Sequence, residues 1–275
     1  MQEFLEKKRH DGKKIGFAPT MGALHPGHLS LVSQAKKQND IVVTSLFVNP
    51  TQFNDPEDFK KYPVTIESDI LLFENAGVDV LFLPSVTDVY SQGTTNLEQY
   101  ELGFLETILE GKFRPGHFQG VCQVMRRLLE FVLPDNLYIG QKDYQQSMVI
   151  IKLTELLGLD KKIMVHICPT LREKDGLAMS SRNTRLGPHD RVTATTIFAA
   201  LRHIKENIKP GHTKAIKDEA KGMLEQKGFT VDYIEVANVN TLQPVENWDG
   251  KERIVALAAA FLSKVRLIDN MVVNP

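Results

Sequence analysis

The sequence predicts an α/β protein, with a doubly wound parallel sheet followed by a smaller α+β domain at the C-terminal end. Short apolar runs alternate with amphipathic helical segments as far as Thr170, which is typical of a parallel sheet covered on both faces. Beyond Thr170 the order changes to helices followed by strands. The composition, 42% hydrophobic and 24% charged over 275 residues, suits a globular chain with a sizeable core.

The elements of the first domain are predicted in order along the chain. A charged helix at 4–10 precedes a strand at 14–19, which leads into a glycine-containing turn. Gly77 is expected to end a helix, and Pro84 a strand. The elements that follow the first strand are a helix at 28–38, an apolar strand at 41–48, a helix at 64–76, a strand at 78–83, a helix at 121–131, a strand at 136–139, a helix at 145–156 and a strand at 163–167.

The second domain is predicted from a change of pattern at 170–176. Pro210 and Gly211 separate two expected helices. The expected elements are helices at 190–208 and 213–227, strands at 231–236, 253–262 and 265–273, and a turn at 247–250. The predicted domains are therefore residues 1–174 and 175–275.

Charge and hydropathy exclude several classes of protein. Lys and Arg number 33 and Asp and Glu 34, so a globally basic nucleic-acid binder is excluded. The longest apolar run, Ile254–Leu262, is far shorter than the ~18 residues of a membrane helix. The first eight residues are charged and lack the apolar core of a signal peptide. Cys122 and Cys168 form no CxxC pair, so we expect no disulfide framework and a cytoplasmic protein.

The common nucleotide and hydrolase motifs are absent from the sequence. No two of the 18 glycines are spaced G-x-G, and no G-x-S-x-G occurs. Two glycine pairs have the spacing of a phosphate-binding loop, but His28 and His117 stand where a lysine is required. Because a doubly wound sheet binds ligands at the carboxyl ends of its strands, the loops after the strands are the candidate sites.

The first candidate loop is PTMGALHPGH, at 19–28, between a strand and a helix. Gly22 and Gly27 allow close approach of the backbone to a ligand, and a helix N-terminus attracts phosphate. His25 and His28 add side-chain donors for developing negative charge. The alternatives are a capped helix with two surface histidines, or an HxxH metal site.

The second candidate loop is FVNPTQF, at 47–53. Asn49 and Gln52 place amides beside Phe47 and Phe53, which suits a small ligand with hydroxyls and an apolar body. A plain Asn-Pro turn is an equal alternative.

The third candidate segment, 110–120, combines glycines, a proline and potential cations, as expected of a mobile loop that handles an anion. Glu110 and Arg114 lie in it. An ordinary surface loop is the alternative.

The fourth candidate loop, 140–146, follows the strand at 136–139. Lys142 is a candidate phosphate ligand, and Asp143 is expected to hold a cation or to cap the next helix.

The fifth candidate segment, 172–183, carries AMSSRN at the predicted domain boundary. It offers two hydroxyls and two guanidinium groups, although a charged run is often only a solvated surface.

These segments, in this order, resemble the pantothenate synthetase (pantoate–β-alanine ligase) family of the HIGH/KMSKS nucleotidyltransferases. PTMGALHPGH is similar to the family's form of the HIGH signature, and AMSSRN to its form of KMSKS. FVNPTQF, RPGHFQGV, GQKDYQQ and RLIDN are similar to other family motifs. The resemblance extends from Gly12 to Asn270.

The resemblance implies a Rossmann-like domain for ATP and pantoate with a smaller lid domain. It implies ligation of pantoate and β-alanine through pantoyl adenylate, with release of AMP and pyrophosphate, in a homodimer that uses Mg²⁺. The implied catalytic residues are His25, His28, Lys142, Ser180, Ser181 and Arg182. ATP would also contact Met21, Gly140, Asp143 and Met179. Pantoate would contact Pro19, Met21, Phe47, Asn49, Gln52 and Gln146. Glu110 and Arg114 would lie in a flexible loop, and Asp69 would contact magnesium.

Two departures from the family pattern stand out. The first motif lies closer to residue 1 than is usual, so an N-terminal strand is expected to be short or missing. FLSKVRLIDN lacks the family's usual glycine.

Two other functions remain open at this stage. One is a nucleotidyltransferase acting on a phosphate-bearing substrate, although FVNPTQF and Gln146 supply few cations for a second phosphate. The other is a nucleotide-binding regulator without catalysis, against which both histidines and Lys142 argue.

Overall fold

The computed structural model describes residues 1–274, and these form two compact units. The first unit comprises Met1–Gln141 and Gln145–Pro169. The second comprises Lys142–Tyr144 and the chain from Thr170 onward. No helix in the described part of the chain is long and apolar enough to span a membrane.

The first unit is built on a five-stranded parallel sheet, which confirms the predicted fold class. The order β3-β2-β1-β4-β5 reverses direction between β1 and β4, and at such a point the carboxyl ends of the strands border a ligand crevice. The strands are β1 Ile15–Thr20, β2 Ile41–Leu46, β3 Val80–Phe82, β4 Asn136–Gly140 and β5 Met164–Cys168.

The helices of this region bury apolar side chains against the sheet. The three central strands, β2, β1 and β4, are largely buried because parallel sheets carry helices on both faces; Phe17 and Leu137, for example, are fully buried. The helices are α1 Gln2–His10, α2 Pro26–Lys36, α3 Pro56–Lys60, α4 Ile66–Asn75, α5 Val86–Val89, α6 Leu109–Phe113, α7 His117–Val132 and α8 Tyr144–Leu156.

The second unit contains antiparallel sheets, of orders β10-β9-β7 and β6-β8. The nearly continuous apolar run of β9 lies at the centre of the larger sheet. The elements are α9 Pro188–Thr193, α10 Thr196–Asn207, β6 Gly211–His212, α11 Lys214–Glu225, β7 Phe229–Asn238, β8 Asn247–Trp248, β9 Ile254–Leu262 and β10 Val265–Val272. Ser263, in the turn between β9 and β10, has a φ of 52°, a conformation that favours glycine.

Three predicted elements are wrong. The helix predicted at 190–208 is two helices, because the hydroxyls of Thr193, Thr195 and Thr196 bond to nearby carbonyls where the chain bends. The turn predicted at 247–250 begins instead with β8, which pairs with β6. The loop predicted at 110–120 is largely helical, since α6 and α7 flank Arg114.

Candidate active site

The buried carboxylate of Asp69 binds the backbone of the loop after β1. Its oxygens accept hydrogen bonds from the backbone N–H groups of Ala23, at 2.9 Å, and Leu24, at 2.8 Å. The Thr65 hydroxyl donates a third bond, at 3.1 Å. Gly22 has a φ of 88°, and a Cβ there would lie 3.0 Å from the Asp69 carboxylate. Asp69 and Gly22 therefore shape the loop that precedes α2.

His25 and His28 form a reciprocal cap at the start of α2. Nδ1 of His25 accepts from the backbone N–H of Gly27 at 3.1 Å, and Nδ1 of His28 accepts from the backbone N–H of His25 at 3.4 Å. The two rings stack with centroids 4.0 Å apart. Because each Nδ1 is an acceptor, each neutral ring carries its proton on Nε2. Both rings thus lie beside the positive end of the helix dipole.

The residues around this loop do not form a metal cage. The Asp69 oxygens are already engaged by backbone and hydroxyl donors, and both histidine Nδ1 atoms are capping atoms. Among residues 1–274, no cluster of three or more His, Cys, Asp and Glu side chains could hold a metal ion. Asp69 shapes this loop, and the magnesium contact that the resemblance implied stays a prediction.

The loop after β2 brings a polar pair to the side chain of Met21. The 3₁₀ segment Pro50–Gln52 begins at Asn49, whose amide is buried. Nδ2 of Asn49 donates to Oε1 of Gln52 at 3.1 Å, and Nε2 of Gln52 lies 2.9 Å from the Met21 sulfur. Phe47, which directly follows β2, is buried, and Pro19 is half-buried in β1. An amide beside apolar surface suits a small hydroxy acid.

The third predicted segment packs directly on the second. A Cβ on Gly120 would lie 2.2 Å from the Thr51 carbonyl oxygen, so only glycine allows α7 to approach this closely. Nδ1 of His117 lies 2.7 Å from the Gln52 carbonyl, and Nε2 lies 3.1 Å from the Arg114 guanidinium. Since the carbonyl accepts and the guanidinium donates, the proton of His117 is on Nδ1. Gln52 is therefore held through its backbone as well as its side chain.

Glu110 is buried rather than part of an open loop. Its carboxylate lies 3.7 Å from the Arg114 guanidinium, and its backbone N–H donates to the Gln145 amide at 2.9 Å. The same Gln145 amide donates to the carbonyls of Leu105 and Ile108. The fourth segment thus anchors the third, while Gln146 lies half-buried in the first turn of α8.

In the second unit, the C-terminal strand supports Lys142. Nδ2 of Asn270 donates to the Lys142 carbonyl at 2.9 Å. Nζ of Lys142 lies 3.9 Å from the Asp143 carboxylate, and the Tyr144 hydroxyl donates to the Val239 carbonyl at 2.8 Å. Residues 142–144, which follow Gly140 at the end of β4, are therefore held by the second unit.

The AMSSRN segment is held by a buried ion pair. Arg172 binds both Asp269 oxygens, at 2.6 and 2.9 Å, and also donates to the Gly176 carbonyl. Burial raises the pKa of Asp269 although the Arg172 guanidinium opposes the shift. The backbone of Arg172 pairs with that of Ala178, immediately before Met179 and Ser180.

The hydroxyl-rich part of this segment forms a 3₁₀ turn. Ser180 accepts the backbone N–H of Arg182 at 3.3 Å and begins the segment Ser181–Arg185. Ser181 is buried, and Met179 and Arg182 are half-buried. The segment supplies a guanidinium and hydroxyls suited to an anionic ligand.

The sequence did not show the contacts of several residues that position these groups. Arg172 and Asp269 form the buried pair described above, and Tyr90 bonds to Asn49. The motif RLIDN was a signal for Asp269 and Asn270, but it did not show which groups they contact. Tyr90 lies in no motif that the sequence singled out.

Known proteins resemble this chain along nearly its whole length. The family model described as pantoate-beta-alanine ligase matches residues 1–272. A pantothenate synthetase of Azobacteroides pseudotrichonymphae is 43% identical over 273 residues, covering 98% of this chain and 96% of that protein. One of Thermosipho melanesiensis is 45% identical over 265 residues, covering 96% and 92%.

Solved structures show the same similarity in three dimensions. Pantothenate synthetase from Thermus thermophilus superposes with a TM-score of 0.89 at 39% identity, covering 98% of each chain. Pantoate-beta-alanine ligase from Francisella tularensis, complexed with beta-gamma ATP and beta-alanine, gives a TM-score of 0.80 at 38% identity, covering 98% of this chain and 94% of that one.

Proposed function

The chain belongs to the pantoate–β-alanine ligase family, and we propose that its two histidines, its Lys142 loop and its AMSSRN segment carry out the family reaction. The protein condenses pantoate with β-alanine at the expense of ATP, forming pantothenate, AMP and pyrophosphate. The observation that carries the residue assignment is the reciprocal cap of His25 and His28. It places both imidazole rings at a helix N-terminus, where phosphate binds readily.

The reaction needs activation because a carboxylate does not acylate an amine at neutral pH. A pantoate carboxylate oxygen attacks the α-phosphorus of ATP, and the bond to the bridging oxygen of pyrophosphate breaks. The β-alanine amine then attacks the acyl carbon of pantoyl adenylate. The bond from this carbon to the AMP oxygen breaks, and the amine nitrogen loses a proton. No protein nucleophile is required, so the contribution of the chain is positioning and charge stabilisation.

The residue roles follow from the chemistry of each group. In this proposal, His25 and His28 stabilise charge on the phosphates. Lys142 and Arg182 supply positive charge. The hydroxyls of Ser180 and Ser181 complete the phosphate ligands. Met21, Gly140, Asp143 and Met179 contact the rest of ATP.

Pantoate binding is assigned to the pocket around Gln52. Its amide faces Met21, and the proposal adds Gln146 as a second amide for the substrate hydroxyls. Pro19 and Phe47 supply apolar surface for the methyl groups. Asn49 belongs to this site through its bond to Gln52.

Magnesium is proposed to arrive with ATP. Mg²⁺ is commonly held by substrate phosphates and waters with few protein carboxylates. This agrees with the Asp69 carboxylate being engaged by the backbone N–H groups of Ala23 and Leu24. We therefore assign no step of the reaction to a protein-bound metal.

Pyrophosphate release tests the function directly. With MgATP and pantoate alone, we expect a release equivalent to the enzyme present, as pantoyl adenylate accumulates. Adding β-alanine should convert this into sustained turnover to AMP and pantothenate. No release in either condition, with ATP still bound, would contradict the proposal and favour another acceptor or a regulator.

We also propose that the protein is a homodimer, as the resemblance implies. Sedimentation at micromolar concentration should show a mass of twice 31.0 kDa. A monomer under these conditions would contradict the proposal.

A further inference from the structure

We infer that Tyr90 is a positioning residue for substrate recognition, because its hydroxyl stabilises the Asn49 orientation that directs the Gln52 amide nitrogen toward the substrate. The inference rests on the proposed pantoate pocket. Tyr90 is only 3% exposed, so it acts on the substrate through other residues.

The backbone determines the orientation of the Asn49 amide. Oδ1 of Asn49 accepts from the Thr51 backbone N–H at 3.4 Å, and Nδ2 donates to the Gly120 carbonyl at 3.1 Å. A backbone N–H can only donate and a carbonyl can only accept. The Asn49 side chain therefore satisfies both partners in one orientation and not in the flipped one.

The orientation of Asn49 in turn determines that of Gln52. Nδ2 of Asn49 donates its second hydrogen to Oε1 of Gln52 at 3.1 Å. Nε2 of Gln52 is thereby directed to the Met21 sulfur, at 2.9 Å. A thioether is a weak acceptor, so an oxygen of the substrate is a better partner for this N–H₂ group. The pocket is thus selective for a hydroxyl or carboxylate oxygen that accepts from Gln52.

The Tyr90 hydroxyl secures this arrangement. It donates to Oδ1 of Asn49 at 2.7 Å, a shorter contact than either bond from Thr51 to the same atom. Burial raises the pKa of Tyr90, so the hydroxyl keeps its proton at neutral pH. The Arg127 guanidinium lies over the Tyr90 ring, 4.9 Å from the ring centroid. Without this donor, Oδ1 of Asn49 would keep only the longer bonds from Thr51.

The test compares Tyr90→Phe with the wild type in steady-state kinetics. Tyr90→Phe removes the hydroxyl and keeps the ring. We expect the KM for pantoate to rise about two- to tenfold, the effect of one hydrogen bond, and the KM for ATP to stay within about twofold. If Tyr90 only stabilised the fold, its substitution would not raise the KM for pantoate while leaving the KM for ATP unchanged. Tyr100→Phe is the matched control, because the Tyr100 hydroxyl belongs to the same unit but donates to Glu98, at 3.3 Å, and not to Asn49.

Asn49→Asp provides a second variant of the same chain of contacts. It replaces the donor to Gln52 by an oxygen, so the KM for pantoate should rise more than in Tyr90→Phe. In the double variant, Tyr90→Phe should add little to this rise, because both changes act through one side chain. If the rises in the KM for pantoate of the two single variants multiplied in the double variant, the inference would be overturned. An unchanged KM for pantoate in Tyr90→Phe would overturn it as well. Absence of pantoate-dependent turnover in the wild type would instead overturn the proposed function, and this inference with it.

Discussion

The carboxylate of Asp69 accepts a hydrogen bond of 2.8 Å from the backbone N–H of Leu24, one residue before His25. Its other oxygen binds the N–H of Ala23 at 2.9 Å. A side chain on α4 thus determines the path of the loop that presents the two histidines. The geometry of this loop therefore depends on a residue distant from it in sequence.

Asp69→Asn should weaken this loop. The amide nitrogen of asparagine would face one of the two backbone donors, so we expect a loss of about 1–3 kcal/mol in the free energy of unfolding. The kcat/KM for ATP should fall, and the Mg²⁺ concentration for half-maximal activity should stay the same. Urea unfolding and a magnesium titration measure the two effects.

Asp11→Asn, at an exposed position after α1, is the control. A shifted magnesium dependence would show that Asp69 contacts the metal after all.

His25 has two roles that substitution can separate. His25→Ala removes both the cap and the Nε2–H donor, and we expect kcat/KM to fall by about 2–4 kcal/mol. His25→Asn keeps an acceptor for the helix cap, so its stability should stay near that of the wild type while its activity falls. His10→Ala, on α1, controls for loss of a histidine. Full activity in His25→Asn would refute the role of the ring as a phosphate donor.

Lys142→Ala tests the phosphate role of the loop after β4. We expect a fall of about 2–4 kcal/mol in kcat/KM, because a charge that stabilises the transition state is lost. The backbone bond from Asn270 does not need the lysine side chain, so the unfolding temperature should change little. Lys152→Ala, on the exposed face of α8, is the matched control. If Lys142→Ala were as active as the control, the proposed role of Lys142 in binding phosphate would be wrong.

The sheet was predictable because its signal is local. The apolar runs of β1 and β2, separated by an amphipathic helix, are enough to indicate parallel strands, and the loops that follow them are then the candidate sites. The segment around Arg114 was not predictable in the same way. Its glycines and Pro115 favour a loop, but Glu110 is buried through contacts with residues distant in sequence.

Residues that position the site leave little trace in sequence. Tyr90 and Asp69 act through hydrogen bonds to Asn49 and Leu24, which lie 41 and 45 positions away in the chain. No periodicity or spacing marks such pairs. The break between α9 and α10 was missed for a related reason, since threonines in a helical pattern reveal their competing backbone bonds only in three dimensions.

The ion pair of Arg172 and Asp269 should be needed for folding of the second unit. Arg172→Met would leave the Asp269 carboxylate, whose side chain is 0% exposed, without its guanidinium, at a cost of about 3–5 kcal/mol in the free energy of unfolding. Replacing both residues, Arg172→Met with Asp269→Leu, should recover much of this loss. Chemical denaturation followed by circular dichroism measures both variants. A mild effect of the single change would contradict the view that Arg172 neutralises Asp269.

The same pair predicts a pH dependence. Burial raises the pKa of Asp269 above its value of 3.8 in the unfolded chain, so folding favours its protonated form. The stability from this group is present below the unfolded pKa and is lost as pH rises through the folded pKa. Removing the guanidinium in Arg172→Met raises the folded pKa further. The difference in free energy of unfolding between the wild type and Arg172→Met should therefore become smaller as the pH is lowered from 7 toward 4. A difference that does not change with pH would contradict the prediction.

Gly120→Ala tests the contact between α7 and the segment that carries Gln52. The new Cβ would lie 2.2 Å from the Thr51 carbonyl oxygen and 2.6 Å from Cα of Gln52, and both are backbone atoms. The helix and the segment must separate, so we expect a loss of about 1–3 kcal/mol in stability and a higher KM for pantoate. Gly222→Ala is the matched control, because its Cβ meets nothing within 4 Å inside α11. There, alanine should stabilise the helix by up to about 1 kcal/mol and leave both KM values unchanged. If Gly120→Ala bound pantoate as well as this control does, the close packing of α7 would not be what holds Gln52 in place.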